Sequence, residues 1–311
     1  MPELCNVEGR LVPPGQATVP VLDRGFLYGD SVYEVVRTYR GRVFELERHL
    51  ARMERTSERI GLSLPPREHI AREIARTLDA AQNAESYVRI IVTRGIGQFG
   101  LGAHLSDEHR LIIIVRPLQP FDEALYQRGL TIAIARTRRN PPQALDPALK
   151  TGNYLNNILA LREARDAGAD DAILLDLQGR VTEGTTSNVF FVRGGAGSAG
   201  DGRSADARST GGGVLVTPPL SLGMLEGVTR AVAIEVARGE GLIVREEPHG
   251  PEALAAADEV FLTSTLREVI PVTQLVFLES SGEQRRAVAD GRPGPVAQRM
   301  RAAFRRYVES R

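Results

Sequence analysis

Short apolar runs of strand length alternate with stretches of helical periodicity, and this order constrains the fold of the chain more than any other feature. The apolar runs predict strands at residues 31–39, 42–46, 87–93, 111–115, 130–135, 172–177, 188–192 and 259–263. Apolar residues at helical spacing predict helices at 46–60, 70–78, 154–168 and 228–238. The mixture indicates an α/β (α+β) protein.

The elements fall into two blocks along the chain. Residues 117–120 begin and end with proline, which predicts a linker. We therefore predict a small N-terminal α+β domain at 1–118, a linker at 119–122 and a larger C-terminal domain at 123–311. Residues 194–213 contain almost nothing to bury, so they predict a flexible glycine- and serine-rich insertion between two strands.

Composition argues against several classes of protein. The 39 basic and 39 acidic side chains give a net charge of zero, which disfavours a nucleic-acid partner. The longest aliphatic run, 111–115, is too short to cross a bilayer, and the N-terminus shows no apolar signal segment. The single cysteine, Cys5, cannot form an intrachain disulfide, and no two histidines have metal-ligand spacing. We therefore expect a cytoplasmic protein without nucleic-acid, membrane or metal partners.

One count among the basic residues is especially informative. Of the 39 lysines and arginines, only Lys150 is a lysine. Arginine serves a surface ion pair as well as lysine does, but it cannot lose its proton near neutral pH to become an amine nucleophile. Lysine can, when burial or neighbouring cations lower its pKa. Lys150 is therefore either a chance surface residue or a Schiff-base residue, and its place in a proline-rich loop just before a helix favours the second.

Six separated segments carry motifs in a fixed order. They are YGDSVYEVVRTY at 28–39, RHLAR at 48–52, KTGNYLNNILA at 150–160, TEGTTSNVFF at 182–191, GMLEGVTR at 223–230 and DEVFLTSTLRE at 258–268. Together they resemble the class IV aminotransferases, a family that includes branched-chain and D-amino-acid aminotransferases, R-selective amine transaminases and aminodeoxychorismate lyase. The resemblance implies the fold-type-IV architecture, with a β-barrel-like core in the larger domain, a homodimer and pyridoxal 5'-phosphate as cofactor.

The resemblance also implies roles for single residues. Lys150 would form the Schiff base with the cofactor and move protons as general acid and base. Glu183 would pair with the pyridine nitrogen and keep it protonated, so that the ring accepts electrons. Tyr154 would lie near the ring hydroxyl of the cofactor, although an aromatic residue at this position also suits the apolar face of a helix.

Four further residues match the phosphate-binding positions of the family. Arg52, in the sequence His49-x-x-Arg52, would grip the phosphate with its guanidinium group. Val228 and Thr229 would open a helix whose N-terminus attracts an anion. Thr265 would add a hydroxyl. Taken singly, each of these residues also suits an ordinary solvated or capping position.

A glycine-rich segment is a decoy. Residues 95–100 fit the dinucleotide fingerprint and follow a predicted strand, but that motif must open a helix. Here it runs into another strand, so we reject the match. The segment is better explained as a mobile loop at the edge of the active site.

The substrate is the least determined part of the sequence. Tyr87 and Arg89 resemble the Tyr-x-Arg of branched-chain aminotransferases, whereas residues 28–37 are more similar to the D-amino-acid enzymes. Those enzymes carry an arginine in the loop after this strand, but the matching loop here, 95–104, has none. We therefore expect an aminotransferase for an aliphatic, branched-chain L-amino acid with 2-oxoglutarate as acceptor, and Tyr33, Tyr87 and Arg89 as pocket residues. A D-amino-acid or R-amine transaminase, the lyase and a non-catalytic binding protein are the alternatives.

Overall fold

The computed structural model describes residues 3–106, 108–119, 121–194, 213–279 and 282–311. The chain forms two compact units. Unit 1 contains Met1–Pro120 and the segment Leu149–Tyr154, and unit 2 contains Phe121–Ala148 and Leu155–Arg311. The predicted insertion at 194–213 lies outside the described residues except for its two ends.

Unit 1 is built on an antiparallel sheet with helices against it. Its elements are β1 (Leu4–Val7), β2 (Arg10–Val12), α1 (Arg24–Tyr28), β3 (Ser31–Tyr39), β4 (Arg42–Val43), α2 (Leu46–Ile60), α3 (Arg67–Ala81), β5 (Ser86–Thr93) and β6 (Arg110–Pro117). Over the described residues the strand order is β2-β1-β6-β5-β3-β4. The predicted α+β block is therefore present, with β6 and β5 at its centre and β3 paired to β5.

The two faces of β3 and β5 have different chemistry because side chains alternate along a strand. One face carries Val32, Val36 and Ile90, which pack on Leu50 of α2 and Ile74 of α3 in a buried cluster. Each such side chain contributes about 1.5–3 kcal/mol on full burial. The other face is left for polar and aromatic residues, which is where the residues predicted for the substrate pocket lie.

One predicted strand is wrong in its second half. Residues 42–46 were expected to be extended, but β4 ends at Val43 and α2 begins at Leu46. Glu45 precedes the helix in the left-handed region, with φ 51°. The apolar residues at 44 and 46 therefore belong to a turn and a helix start, which periodicity over so few residues cannot separate from a strand.

Unit 2 contains a closed barrel. Its elements are α4 (Glu123–Arg128), β7 (Leu130–Ile134), α5 (Leu155–Asp166), β8 (Asp171–Leu175), β9 (Val181–Gly184), β10 (Asn188–Arg193), β11 (Val214–Thr217), α6 (Val228–Gly239), β12 (Ile243–Glu246), α7 (Pro251–Ala255), β13 (Glu259–Ser264), β14 (Glu268–Glu279), β15 (Gly282–Ala287) and α8 (Pro295–Glu309). Within the described residues, six strands pair in the order β10-β13-β14-β7-β8-β9, and β9 returns to β10 through Glu183 and Asn188. The predicted barrel-like core is confirmed.

The barrel of unit 2 is filled by apolar side chains. Ile132, Ile173, Val189, Leu262 and Ile270 are fully buried and belong to one cluster. On the outer side, α5 covers a second cluster of mostly small residues from β7 and β8. The interior is therefore a packed core, and polar chemistry is confined to the outside and the ends of the strands.

Candidate active site

Lys150 lies at the sheet of unit 1, between two tyrosines. The segment that carries it runs antiparallel to the start of β3, because the amide of Tyr33 donates to the carbonyl of Lys150 at 3.0 Å and Thr151 bridges to Val32. The Lys150 Nζ atom is 3.4 Å from the hydroxyls of both Tyr33 and Tyr154. The lysine is only 8% exposed. It is therefore held in place by its backbone and by two phenols, as a chance surface lysine would not be.

The ring of Tyr33 lies against both Lys150 and Arg89. The Arg89 guanidinium lies 4.1 Å from the centre of the Tyr33 ring, and the Lys150 Nζ lies 4.5 Å from it. The rings of Tyr33 and Tyr154 meet edge to face, with centroids 5.5 Å apart. Burial, reinforced by the neighbouring Tyr154, raises the pKa of Tyr33, so this phenol stays protonated at neutral pH.

The residues predicted for the substrate pocket share one face of the unit 1 sheet. Tyr33 pairs with Ile91, and Val35 pairs with Arg89, so Tyr33 and Arg89 point to the same side. Tyr87 lies two residues before Arg89 on β5 and therefore faces the same side. The structure brings Tyr33, Arg89 and Lys150 into contact and places Tyr87 on their face of the sheet.

Arg52 belongs to a buried charge cluster on the helix-covered face of the same sheet. Its Nε and Nη2 atoms each donate to a different oxygen of Glu34 at 2.7 Å. The ring of His49, one turn earlier on α2, lies 2.8 Å from the Glu34 Oε2 atom. Glu34 is fully buried. Arg52 is predicted from its motif, whereas Glu34 is not among the predicted site residues, although the strand pattern places a charged residue there among valines.

The cluster has definite charge states. Burial alone would raise the pKa of Glu34, but the charges and hydrogen bonds of Arg52 and His49 outweigh burial and lower that pKa. For His49, burial is the largest cause and lowers the pKa, although Glu34 opposes it. At neutral pH the cluster is therefore an ionised carboxylate, a charged guanidinium and a neutral imidazole.

Glu183 is fixed in unit 2 by an arginine and a backbone amide. The Arg139 Nε atom donates to Glu183 Oε1 at 2.9 Å, and the amide of Leu225 donates to Oε2 at 3.0 Å. Arg139 itself donates to the side chains of Asn156 and Asn157 at the start of α5. Arg139 is not among the predicted site residues, because one arginine among 38 carries no signal of its own.

A β-bulge turns Glu183 toward these partners. Leu174 pairs with Glu183 and Leu175 pairs with Val181, so Thr182 is the extra residue. Val181 and Leu175 face the barrel interior, whereas Leu174 faces α5. Glu183 shares the face of Leu174 and so points out of the barrel. Without the extra residue the carboxylate would lie in the apolar core.

The N-terminus of α6 lies near this carboxylate. Val228 and Thr229 are the first two residues of the helix, both buried, and Gly227 supplies no side-chain cap. A Cβ atom on Gly227 would lie 2.0 Å from the Asn188 side chain, so a larger residue here would displace Asn188. The first amides of a helix have no intrahelical acceptor, and these therefore suit an anion. Thr265 lies half-buried in the turn that joins β13 to β14.

The glycine-rich loop after β5 has an unexpected anchor. As the sequence predicts, residues 95–100 do not open an α-helix. The loop leads through a short 3-10 turn to β6. The buried guanidinium of Arg24 donates to the carbonyls of Gly100 and Leu101 at 2.8 and 3.2 Å. Phe99 is 78% exposed at the tip. Arg24 is not among the residues predicted from the sequence.

Comparison with known proteins defines the family. The sequence model named "Amino-transferase class IV" matches residues 31–275. A Methanocaldococcus jannaschii protein named "Putative branched-chain-amino-acid aminotransferase" is 36% identical over 86% of this chain and 86% of its own. The chain belongs to the class IV aminotransferases, and the resemblance noted from its motifs is confirmed.

Other relatives within this family carry different names. The aminodeoxychorismate lyase of Bacillus subtilis is 32% identical over 88% of this chain and 86% of its own. The D-alanine aminotransferase of Bacillus licheniformis is 30% identical over 97% and 96%. The family is therefore clear, whereas identity at this level does not separate the substrates.

Among solved structures, the branched-chain amino acid aminotransferase of T.th. in complex with N-(5'-phosphopyridoxyl)-L-glutamate matches with a TM-score of 0.83 and 28% identity, over 99% of this chain and 94% of that one. The enzyme class is thus a transaminase and the cofactor is pyridoxal 5'-phosphate. The groups described above fit this cofactor. They include an amine on Lys150, a fixed carboxylate on Glu183 and the N-terminus of α6, which has no side-chain cap.

Two kinds of feature are missing from the part of the chain that the structure describes. None of the described helices is long and apolar enough to cross a membrane. Across the same residues, no group of three or more histidine, cysteine, aspartate and glutamate side chains could hold a metal ion.

Proposed function

We propose that this protein transfers the amino group of an aliphatic, branched-chain L-amino acid to 2-oxoglutarate, with Lys150 as the residue that binds the cofactor covalently. The observation that carries the proposal is the position of the chain's one lysine, buried and 3.4 Å from the hydroxyls of Tyr33 and Tyr154. When bound, pyridoxal phosphate supplies an aldehyde for this amine and a ring that accepts electrons.

Each proposed cofactor residue acts through an atom described above. Lys150 Nζ accepts and returns the proton at the substrate carbon. Tyr154 would donate a hydrogen bond to the cofactor's ring oxygen, and Glu183 would keep the ring nitrogen protonated.

The phosphate would meet four residues. Arg52 would offer its guanidinium, the amides of Val228 and Thr229 at the start of α6 would donate hydrogen bonds, and Thr265 would offer its hydroxyl. The N-cap residue of α6, Gly227, has no side chain to accept from the first amides of the helix. This supports the proposed phosphate contact, since an anion would satisfy amides that otherwise lack an acceptor.

The proposed substrate pocket is the face of the unit 1 sheet that carries Tyr33, Tyr87 and Arg89. Arg89 binds a substrate carboxylate, and the two tyrosines surround the aliphatic side chain. The relative from M. jannaschii supports a branched-chain substrate, and the glutamate adduct of the T.th. enzyme supports 2-oxoglutarate as acceptor.

Two other substrates have specific support. The D-alanine aminotransferase relative favours a D-amino-acid or R-amine transaminase, but the loop at 95–104 lacks the arginine expected of D-specific enzymes. The relative from B. subtilis favours aminodeoxychorismate lyase, for which none of the proposed cofactor residues would change role.

The first experiment is a spectrum of the purified protein with cofactor, before and after separate additions of L-leucine and D-alanine. We expect the absorbance band of the lysine-bound cofactor to decrease with L-leucine alone. A decrease with D-alanine alone would favour the D-specific enzyme. A band that neither amino acid changes would favour the amine transaminase or the lyase. Lys150→Ala should show no band, and a normal band in that variant would refute the role of Lys150.

The role of Arg89 has its own test. Arg89→Ala should raise the KM for 2-oxoglutarate more than that for the branched-chain acid, because only the former carries a second carboxylate. Arg72→Ala is the control, since Arg72 is exposed on α3, which covers the other face of the sheet. Unchanged turnover of 2-oxoglutarate by Arg89→Ala would contradict the assignment.

We also propose that the protein is a homodimer. The helix α5 exposes Leu155, Ile158 and Leu159, which are 66%, 57% and 44% accessible and lie one turn apart. An apolar stripe of this kind is typical of an interface. Ile158→Glu should produce monomers in light scattering, whereas Leu177→Glu, at an isolated exposed leucine, should not.

A single cysteine, buried and unpaired, suits the reducing cytoplasm in which we place the protein.

A further inference from the structure

Glu34 is an ionised side chain that is fully buried. Its two oxygens accept hydrogen bonds from Arg52 and lie against His49, and its side chain is 0% exposed. The strands around it contribute valine and isoleucine to the same face of the sheet. A carboxylate is costly at such a position unless each of its oxygens is bound, and this one is bound on both.

The geometry fixes the orientation of Arg52. A guanidinium group is planar, so two parallel bonds from Nε and Nη2 to one carboxylate determine the direction of the whole group. Arg52 therefore cannot swing as a surface arginine does. An arginine that already points in one direction loses less freedom when it binds an anion.

Glu34 is also connected to the lysine through α2. The hydroxyl of Thr56 donates to the carbonyl of Arg52 at 3.0 Å, and the amide of Lys150 donates to that hydroxyl at 3.4 Å. Tyr33, the residue before Glu34, contacts the Lys150 side chain. One buried carboxylate thus orders the helix that carries Arg52 beside the segment that carries Lys150.

We propose that Glu34 is a positioning residue for the cofactor phosphate: it orients the Arg52 guanidinium to bind the phosphate and touches neither cofactor nor substrate. This inference rests on the proposed role of Arg52. It differs from a purely structural role in one respect, because the loss of Glu34 should weaken binding of the phosphorylated cofactor selectively.

The test compares two ligands that differ only in the phosphate. Dissociation constants for pyridoxal phosphate and for pyridoxal are measured by fluorescence titration of the cofactor-free full chain and of Glu34→Gln. The glutamine keeps the shape of the side chain but loses its charge. We expect about tenfold weaker binding of pyridoxal phosphate, as for one lost charge-assisted hydrogen bond, and less than about twofold change for pyridoxal.

Glu54, on α2, provides the matched control. Glu54 also binds an arginine through both of its oxygens, but the pair with Arg67 lies at the surface. Glu54→Gln should leave both dissociation constants unchanged. Equal weakening of both ligands by Glu34→Gln would indicate a structural role and overturn the proposal.

A double-mutant cycle separates this inference from the proposed function. If Glu34 acts through Arg52, Glu34→Gln should have no further effect on pyridoxal phosphate binding in an Arg52→Met background. An effect of Arg52→Met without one of Glu34→Gln would refute the positioning role and leave the phosphate contact intact. No effect of Arg52→Met would refute both. If Glu34→Gln does not fold, Glu34→Asp, which keeps the charge but is shorter, should show the same selective loss.

Discussion

Each of the two units buries a glutamate–arginine pair, and the two pairs have opposite arrangements. In unit 1, Glu34 binds Arg52 and His49 from one helix, with side-chain exposures of 0% and 6% for the pair. In unit 2, Glu183 binds Arg139 and the backbone amide of Leu225, with exposures of 6% and 9%. In unit 1 the arginine is the proposed ligand group and the carboxylate holds it, whereas in unit 2 the carboxylate is the proposed ligand group and the arginine holds it.

The difference lies in what else can neutralise the charge. Glu34 has a histidine that can take up a proton, so its surroundings can respond to the loss of Arg52. Among the described residues, the partners of Glu183 are Arg139 and the backbone amide of Leu225, with no histidine between them. The same pair of residue types should therefore respond differently to mutation and to pH.

The largest expected effect is that of Arg139→Met. It leaves the buried charge of Glu183 without a cation, and we expect a loss of about 3–5 kcal/mol in the free energy of unfolding, measured with urea. The adjacent Arg138 is not buried, so Arg138→Met should change stability by less than about 0.5 kcal/mol. Equal effects of the two variants would show that Arg139 does not stabilise a charged Glu183.

Arg52→Met should cost less and should depend on pH. Glu34 keeps His49 as a partner, so we expect a loss of about 1–3 kcal/mol at neutral pH. Arg52 lowers the pKa of His49, and its removal should raise that pKa. The histidine then becomes charged at a higher pH and compensates Glu34, so the cost should shrink on acidification toward the ordinary pKa of histidine, about 6.5.

The smallest effect concerns His49 in the unchanged cluster. Its pKa in the folded protein lies below the ordinary value of 6.5, so the unfolded chain binds a proton that the folded chain does not. Stability should therefore decrease as the pH falls below about 6.5, with a slope of at most about 1.4 kcal/mol per pH unit. His49→Asn should lack this contribution while keeping a donor for Glu34. Free energies of unfolding measured with urea that depend equally on pH in the two proteins would contradict this prediction.

Much of the fold could be predicted because its elements have strong local patterns. The strands at 31–39 and 87–93 and the helices at 46–60 and 228–238 appear within a few residues of their predicted bounds. The long strand Glu268–Glu279 and the helix Pro295–Glu309 were not predicted. Pro271 interrupts the pattern of the strand, and the helix consists largely of arginine and alanine, which show little apolar contrast.

The site residues also divide into those that the sequence predicts and those that it does not. Lys150 could be found because arginine replaces every other lysine, and the remaining assigned residues came from motifs. Glu34, Arg139 and Arg24 were missed, because each lies on a different element from the group it holds. A residue that acts through a partner distant in sequence leaves no spacing pattern to detect.

The sequence by itself determined the family, the cofactor and the lysine proposed to serve it, because these depend on the kinds of residues present and on their order. Only the tertiary structure decided which side chains hold those residues in position. The bulge at Thr182 turns Glu183 out of the apolar barrel, and the register of β3 places Glu34 beneath α2. Such placements depend on contacts between strands and helices far apart in the chain, so local sequence cannot specify them.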